Sequence, residues 1–131
     1  MAVQFVDVSL FVLRLFVGAI FLFHGLPKFK MTAEMAAGMK KSKTFVVLLG
    51  FVEMIAGLAL ILGFYTKIAA VLLGLVMIGA LYHKISKWKV PFSTMNGTGW
   101  EFDLVLLGSN LVLVAIGGGA ISLDALLGIA F

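Results

Sequence analysis

The chain has 131 residues, of which 63% are hydrophobic and 12% charged, and its mean hydropathy is +1.19. A soluble domain of this length has too little interior to hide so much apolar surface, so lipid must be the medium around most of it. The absence of cysteine excludes disulfides and thiol redox chemistry within the chain, and the net charge of +4, gathered in short stretches, points to anionic headgroups and to no nucleic acid.

The first apolar segment, about 8–26, is long enough to cross some 30 Å of hydrocarbon at 1.5 Å per residue. No Lys or Arg precedes it, Arg14 lies inside it and no small-residue cleavage site follows, so it reads as a retained span rather than a signal peptide. A basic loop comes next, carrying Lys28, Lys30, Lys40, Lys41 and Lys43, with a short interfacial helix expected over 31–39. The second span is expected over 45–64 and turns tightly through Phe64, Tyr65, Thr66 and Lys67 into a third over 68–85. Lys84, Lys87, Lys89 and Pro91 open the next loop, a fourth span runs over 102–119, and 121–131 suggests a short interfacial helix started by Ser122 and Asp124. The expected fold is all-α, an integral membrane four-helix bundle forming one domain over 1–131.

The lysines favour the first and third loops. By the positive-inside rule these face the cytoplasm, which puts both termini outside the cell membrane.

Ionised groups inside hydrocarbon cost at least about 2.5 to 3.5 kcal/mol on insertion scales, so Arg14 and Glu53 need partners. At helical rise they lie about 18 Å and about 12 Å from the basic side, a gap the long arginine arm can close. A buried Arg14–Glu53 pair is therefore expected, serving either as a clip between helices or as part of the chemistry. Arg14, Gly18, Phe21 and Gly25 share one helical stripe, and Gly50, Glu53 and Gly57 share another, with glycines allowing close backbone approach. Asp103 and Asn110, seven residues apart, share a face of the fourth span, and Asn110 comes to the depth of Glu53. An interior cluster of Arg14, Glu53 and Asn110 follows.

Antiparallel threading brings His24, His83, Trp100, Glu101 and the neighbouring Lys28 to the same basic mouth. Histidine, carboxylate and lysine there can bind an anion or the head of a quinone, or pass protons to a carrier in the lipid. They can equally anchor helix ends at the headgroups. No metal-ligand motif, P-loop or dinucleotide fingerprint is present, and no cofactor site is encoded.

Leu13-Arg14-Leu15, followed by Phe23-His24-Gly25-Leu26-Pro27-Lys28, resembles the opening of DoxX-family membrane proteins. Glu53 with Gly57, then Leu62-Gly63-Phe64-Tyr65-Thr66-Lys67, resembles that family's second helix and turn. Gly99-Trp100-Glu101 resembles the start of its fourth helix, and Ser122-Leu123-Asp124 its tail. The resemblance implies a four-helix membrane fold and kinship with a subunit of thiosulfate:quinone oxidoreductase.

Two classes of function stand side by side. In the first, the chain is a membrane subunit of a quinone-linked or oxidative-stress redox system. Glu53, Arg14 and His24 then carry the chemistry, while Lys28, His83, Trp100, Glu101 and Asn110 shape the binding site. With no redox centre encoded, electrons come from quinone itself or from a partner oxidoreductase subunit. In the second, the chain is a small-solute transporter or channel, or a scaffold recruiting a partner. Membrane lipid is a partner in both, and the glycine stripes suit a homo-oligomer.

Overall fold

The computed structural model describes residues 2–129. Among these the chain forms α-helices and one π-helical turn, with no strand. Four long helices make the bundle: α1 (Phe5–Gly25), α4 (Lys43–Leu62), α5 (Thr66–Tyr82) and α6 (Trp100–Ile116). Two short helices, α2 (Pro27–Lys30) and α3 (Thr32–Met39), join α1 to α4, and α7 (Leu123–Leu127) lies in the tail. This is the all-α membrane four-helix bundle that the hydropathy predicts. Three helical stretches, Phe5–Lys30, Lys43–Leu62 and Thr66–Lys87, are long and apolar enough to cross a bilayer. The outer surface agrees with a lipid environment: Phe16, Ile55 and Val105 are 64%, 66% and 64% exposed.

Local chemistry sets the boundaries. Leu26 keeps right-handed helical angles, so α1 runs almost directly into α2, whose first residue is Pro27, a position where the missing N–H is not needed. Ser42 caps α4 by accepting from the Phe45 N–H at 3.1 Å. Gly63, in the left-handed region at φ 68°, ends it. α5 stops at Tyr82, and the π turn His83–Lys87 continues the same rod, closed by a 2.7 Å bond from the Trp88 N–H to the His83 carbonyl. α6 stops at Ile116, short of the expected 119, because Gly117 takes φ 89° and the chain turns away.

The bundle is two tight antiparallel pairs, α1 with α4 and α5 with α6, set side by side. The first pair closes on its glycines: a Cβ on Gly18 would stand 2.5 Å from the Gly57 carbonyl oxygen, and one on Gly57 2.9 Å from that of Gly18. Gly25 and Gly50 meet in the same way about two turns further along. Between the pairs lies an apolar core that includes Phe21, Leu60, Leu73 and Leu113.

At the end away from the two basic loops, the tail folds back over the bundle. Asp124 is buried, and its carboxylate accepts from the N–H groups of Tyr65 (2.6 Å) and Thr66 (2.9 Å), where α5 presents its positive dipole end. The Asp124 N–H donates to the Gly63 carbonyl at 2.9 Å. Asp7, in the first turn of α1, accepts from the Ala120 N–H at 2.9 Å. The tail expected to lie in the interface is thus pulled inward at Asp124, while residues 130–131 of that expected helix lie outside the described residues.

Candidate functional site

At the basic end, Lys28 follows the close of α1, and Glu53 lies about 15 Å along α4 from its start. In a helix each Cα–Cβ bond leans toward the helix N-terminus. The Lys28 side chain therefore hangs back toward the bilayer centre while Glu53 reaches up toward the basic side. They meet as an ion pair of 2.6 Å, both side chains buried, and the Lys28 ammonium also donates to the His24 carbonyl at 3.0 Å.

The same geometry overturns the expected Arg14–Glu53 pair. Arg14 also leans toward the start of α1, which in an antiparallel pair is away from Glu53. Its fully buried guanidinium donates to the carbonyls of Leu60 (3.1 Å) and Ile61 (3.4 Å), at the end of α4, and to that of Ile121 in the tail. The acid whose charge acts on it is Asp124. Arg14 thus caps the negative end of α4 and holds the tail, a structural clasp far from the histidines. Nor does Asn110 join Glu53. Its amide nitrogen donates to the Leu106 carbonyl at 2.8 Å, and it sits in the α5–α6 seam opposite Gly74. The expected cluster of Arg14, Glu53 and Asn110 does not form.

A second pair, its acid buried and its lysine half-buried, stands on the other half of the bundle. Lys84, in the π turn, meets Asp103, in the first turn of α6, at 2.7 Å, and donates to the Thr98 hydroxyl at 3.0 Å. Each helix pair therefore carries one lysine from the end of its first helix and one carboxylate from its second. No partner for Asp103 was expected from the residues alone. The available signal was positional, since Lys84 ends one helical rod and Asp103 begins its antiparallel neighbour.

Between the two pairs lies a cavity of about 630 Å³, within the size range of small-molecule sites. Lys28, Glu53, Lys84, Asp103, His24 and His83 all line it, and Phe21, Val76 and Phe102 supply apolar wall. His24 stacks at a tilt on Phe102, with ring centroids 5.0 Å apart, and feels the charges of Lys28, Lys84 and Asp103. Neither of its ring nitrogens has a hydrogen-bond partner among the described residues. His83 differs: its Nδ1 donates to the Gly79 carbonyl at 2.8 Å, and its ring packs against Trp88. Trp88 lines the cavity as well.

Two residues expected at the site do not reach it. Trp100 packs edge-to-face on Phe92, centroids 4.6 Å apart, and Glu101 is exposed in the first turn of α6. Neither lines the cavity. Successive residues on a helix point about 100° apart, so once Asp103 faces inward, Glu101 faces out.

This arrangement offers a half-polar, half-apolar chamber. Burying an ion pair is at best a weak source of stability, so stability alone does not account for two lysine–carboxylate pairs on one cavity. A flat ring with carbonyl oxygens fits the donor set: an unpartnered imidazole, two lysine ammoniums and aromatic walls.

Comparison with known proteins gives a consistent result. A model of the DoxX family matches residues 9–85. The protein named "Putative oxidoreductase CatD" from Bacillus subtilis (strain 168) is 31% identical over 121 residues, covering 90% of this chain and 86% of that protein. No solved structure matches the chain.

Proposed function

The chain belongs to the DoxX family, a multi-pass membrane group, and on that premise we propose that it is a membrane subunit of a redox system whose basic-end cavity receives the head of a lipid-soluble quinone. The observation that carries this reading is His24: an imidazole with no hydrogen bond among the described residues, lining a cavity flanked by two lysine–carboxylate pairs. A quinone bound there supplies two-electron, two-proton chemistry, with electrons exchanged through a partner oxidoreductase. His24 donates a ring N–H to a ligand carbonyl. Lys28 and Lys84 lend positive charge to the same end of the cavity while Glu53 and Asp103 hold their side chains in place. Glu53, the deepest of these acids, takes or returns a proton at its carboxylate as the Lys28 contact loosens. Phe21, Val76 and Phe102 exclude water from the head. The relative's name, an oxidoreductase, points the same way.

The proposed setting is the cell membrane, crossed four times by α1, α4, α5 with its π turn, and α6, with the cavity open to the cytoplasmic side and the termini outside. Against a through-going solute path stands the far end, where Arg14, Asp124 and the tail close over the helices. A reporter fused to the C-terminus tests the orientation; activity of a cytoplasmic-only reporter would reverse it.

Trp88 provides the binding test, since the only other tryptophan, Trp100, lies outside the cavity. In a Trp100→Phe protein held in nanodiscs, a soluble benzoquinone should quench Trp88 saturably, and His24→Ala should weaken the binding by about tenfold, the worth of one good hydrogen bond. Linear, unsaturable quenching that His24→Ala leaves unchanged would remove the site.

A further inference from the structure

A second hollow, of about 300 Å³, runs along the outer seam between α4 and α5. It shares Val52 and Leu72 with the head cavity, so the two hollows adjoin at those side chains. Its floor is small: Ala56 and Ala69 are buried, and Ala59, one turn nearer the α4–α5 connection than Ala56, stands level with Ala69. Three alanines where two helices meet leave the seam unfilled. Its rims, Ile55, Ile68 and Phe51, are exposed and face the bilayer. Ala59 lies roughly two turns, on the order of 10 Å, below Val52. The far end is stopped by Phe64 and Tyr65, whose rings stack edge-on with centroids 4.7 Å apart.

A slender apolar groove at membrane depth is not filled by water, because it has almost no polar group to hold one. A hydrocarbon chain fills it. Whole bilayer lipids carry two chains and a bulky headgroup at the surface, whereas this groove has the width of one chain and adjoins a polar chamber.

We propose that the α4–α5 groove holds the single apolar tail of the ligand whose head occupies the His24 cavity, and that the ligand enters sideways from the bilayer across the Val52–Leu72 junction. This rests on the reading of the cavity as a quinone-head site. It assigns Ala56, Ala59 and Ala69 a role in ligand choice: they admit an unbranched or isoprenoid chain, and a tail-less head lacks their contacts. The open rims let the tail slide in with no helix separating from its partner, so the tight α1–α4 and α5–α6 pairs stay intact during exchange.

The probe is a benzoquinone carrying a decyl tail that ends in a photoreactive diazirine, used on the full chain in nanodiscs. Trp88 quenching reports the head, and mass spectrometry after illumination reports the tail. The expected result is saturable quenching together with label on the segment 51–72, at Ile55, Ala59 or Ile68, with most of that label lost when excess tail-less benzoquinone is added. Ala59→Leu, which fills the groove floor, should remove the groove label while quenching by the tail-less head persists. Competition needs no variant, so a folding defect in Ala59→Leu does not spoil the test. Saturable quenching with label scattered over lipid-facing positions such as Phe16 and Leu111, or label that the tail-less head fails to displace, overturns the groove alone. Absence of saturable quenching by either probe overturns the head site and this inference with it.

Discussion

Replacing Lys28 by Met leaves the Glu53 carboxylate buried with its 2.6 Å partner gone. Removing one member of a buried pair costs about 3 to 5 kcal/mol, because the remaining charge is stranded in a medium that cannot solvate it. Glu53→Gln leaves Lys28 less exposed to this penalty, since its ammonium keeps the His24 carbonyl at 3.0 Å and sits nearer the headgroups, so about 1 to 3 kcal/mol is expected there. The double variant strands neither charge, so it should be milder than the sum by about 2 to 3 kcal/mol. The matching cycle for Arg14→Met and Glu53→Gln should be additive within about 0.5 kcal/mol, because the two side chains share no partner. Reversible unfolding in mixed micelles, followed by circular dichroism, reads all of these values. Strong coupling between Arg14 and Glu53, with none between Lys28 and Glu53, would refute the assignment of partners and the directional argument behind it.

Gly18→Ala places a methyl 2.5 Å from the Gly57 carbonyl and should cost about 1 to 3 kcal/mol by prising α1 from α4. Gly108→Ala, with nothing within 4 Å, should cost nothing in the same assay. Asp124→Ala uncaps the start of α5 and should lower stability by about 1 to 2 kcal/mol, while quinone quenching of Trp88 in the stable fraction stays unchanged. If that variant instead abolishes quenching, the far-end clasp and the cavity are not separate.

Much of this architecture is legible in the residues. The four apolar runs and the glycine stripes of α1 and α4 follow from length and close-approach chemistry, and each has its counterpart in the helices, while the tight turn expected over Phe64 to Lys67 comes slightly earlier, because Gly63 ends α4 and Thr66 already begins α5. His24, Lys28, Glu53 and His83 were all reachable, because helix ends and antiparallel threading fix which residues share a mouth. Partners were harder to read. Counting depth at 1.5 Å per residue placed Arg14 and Glu53 near one another, but ignored the lean of side chains toward their own helix start, which separates them across an antiparallel pair and joins Lys28 to Glu53 instead. Lys84 looked like one more loop lysine, because nothing in hydropathy shows that a π turn carries the third rod far enough to point it inward. The tail's role was hidden for a different reason. Its hold on Arg14, Tyr65 and Thr66 depends on contacts between residues more than a hundred positions apart in one case and nearly sixty in the others, which no local pattern encodes.

The chain has two histidines, which makes the decisive observation a simple spectrum. With both imidazoles labelled with nitrogen-15 in nanodiscs, addition of a benzoquinone should move the side-chain resonances of His24, assigned by His24→Gln, and leave the Nδ1 signal of His83 in its bond to Gly79. A His24 signal that stays still at saturating quinone, or a shift confined to His83, would contradict the placement of the quinone head at His24.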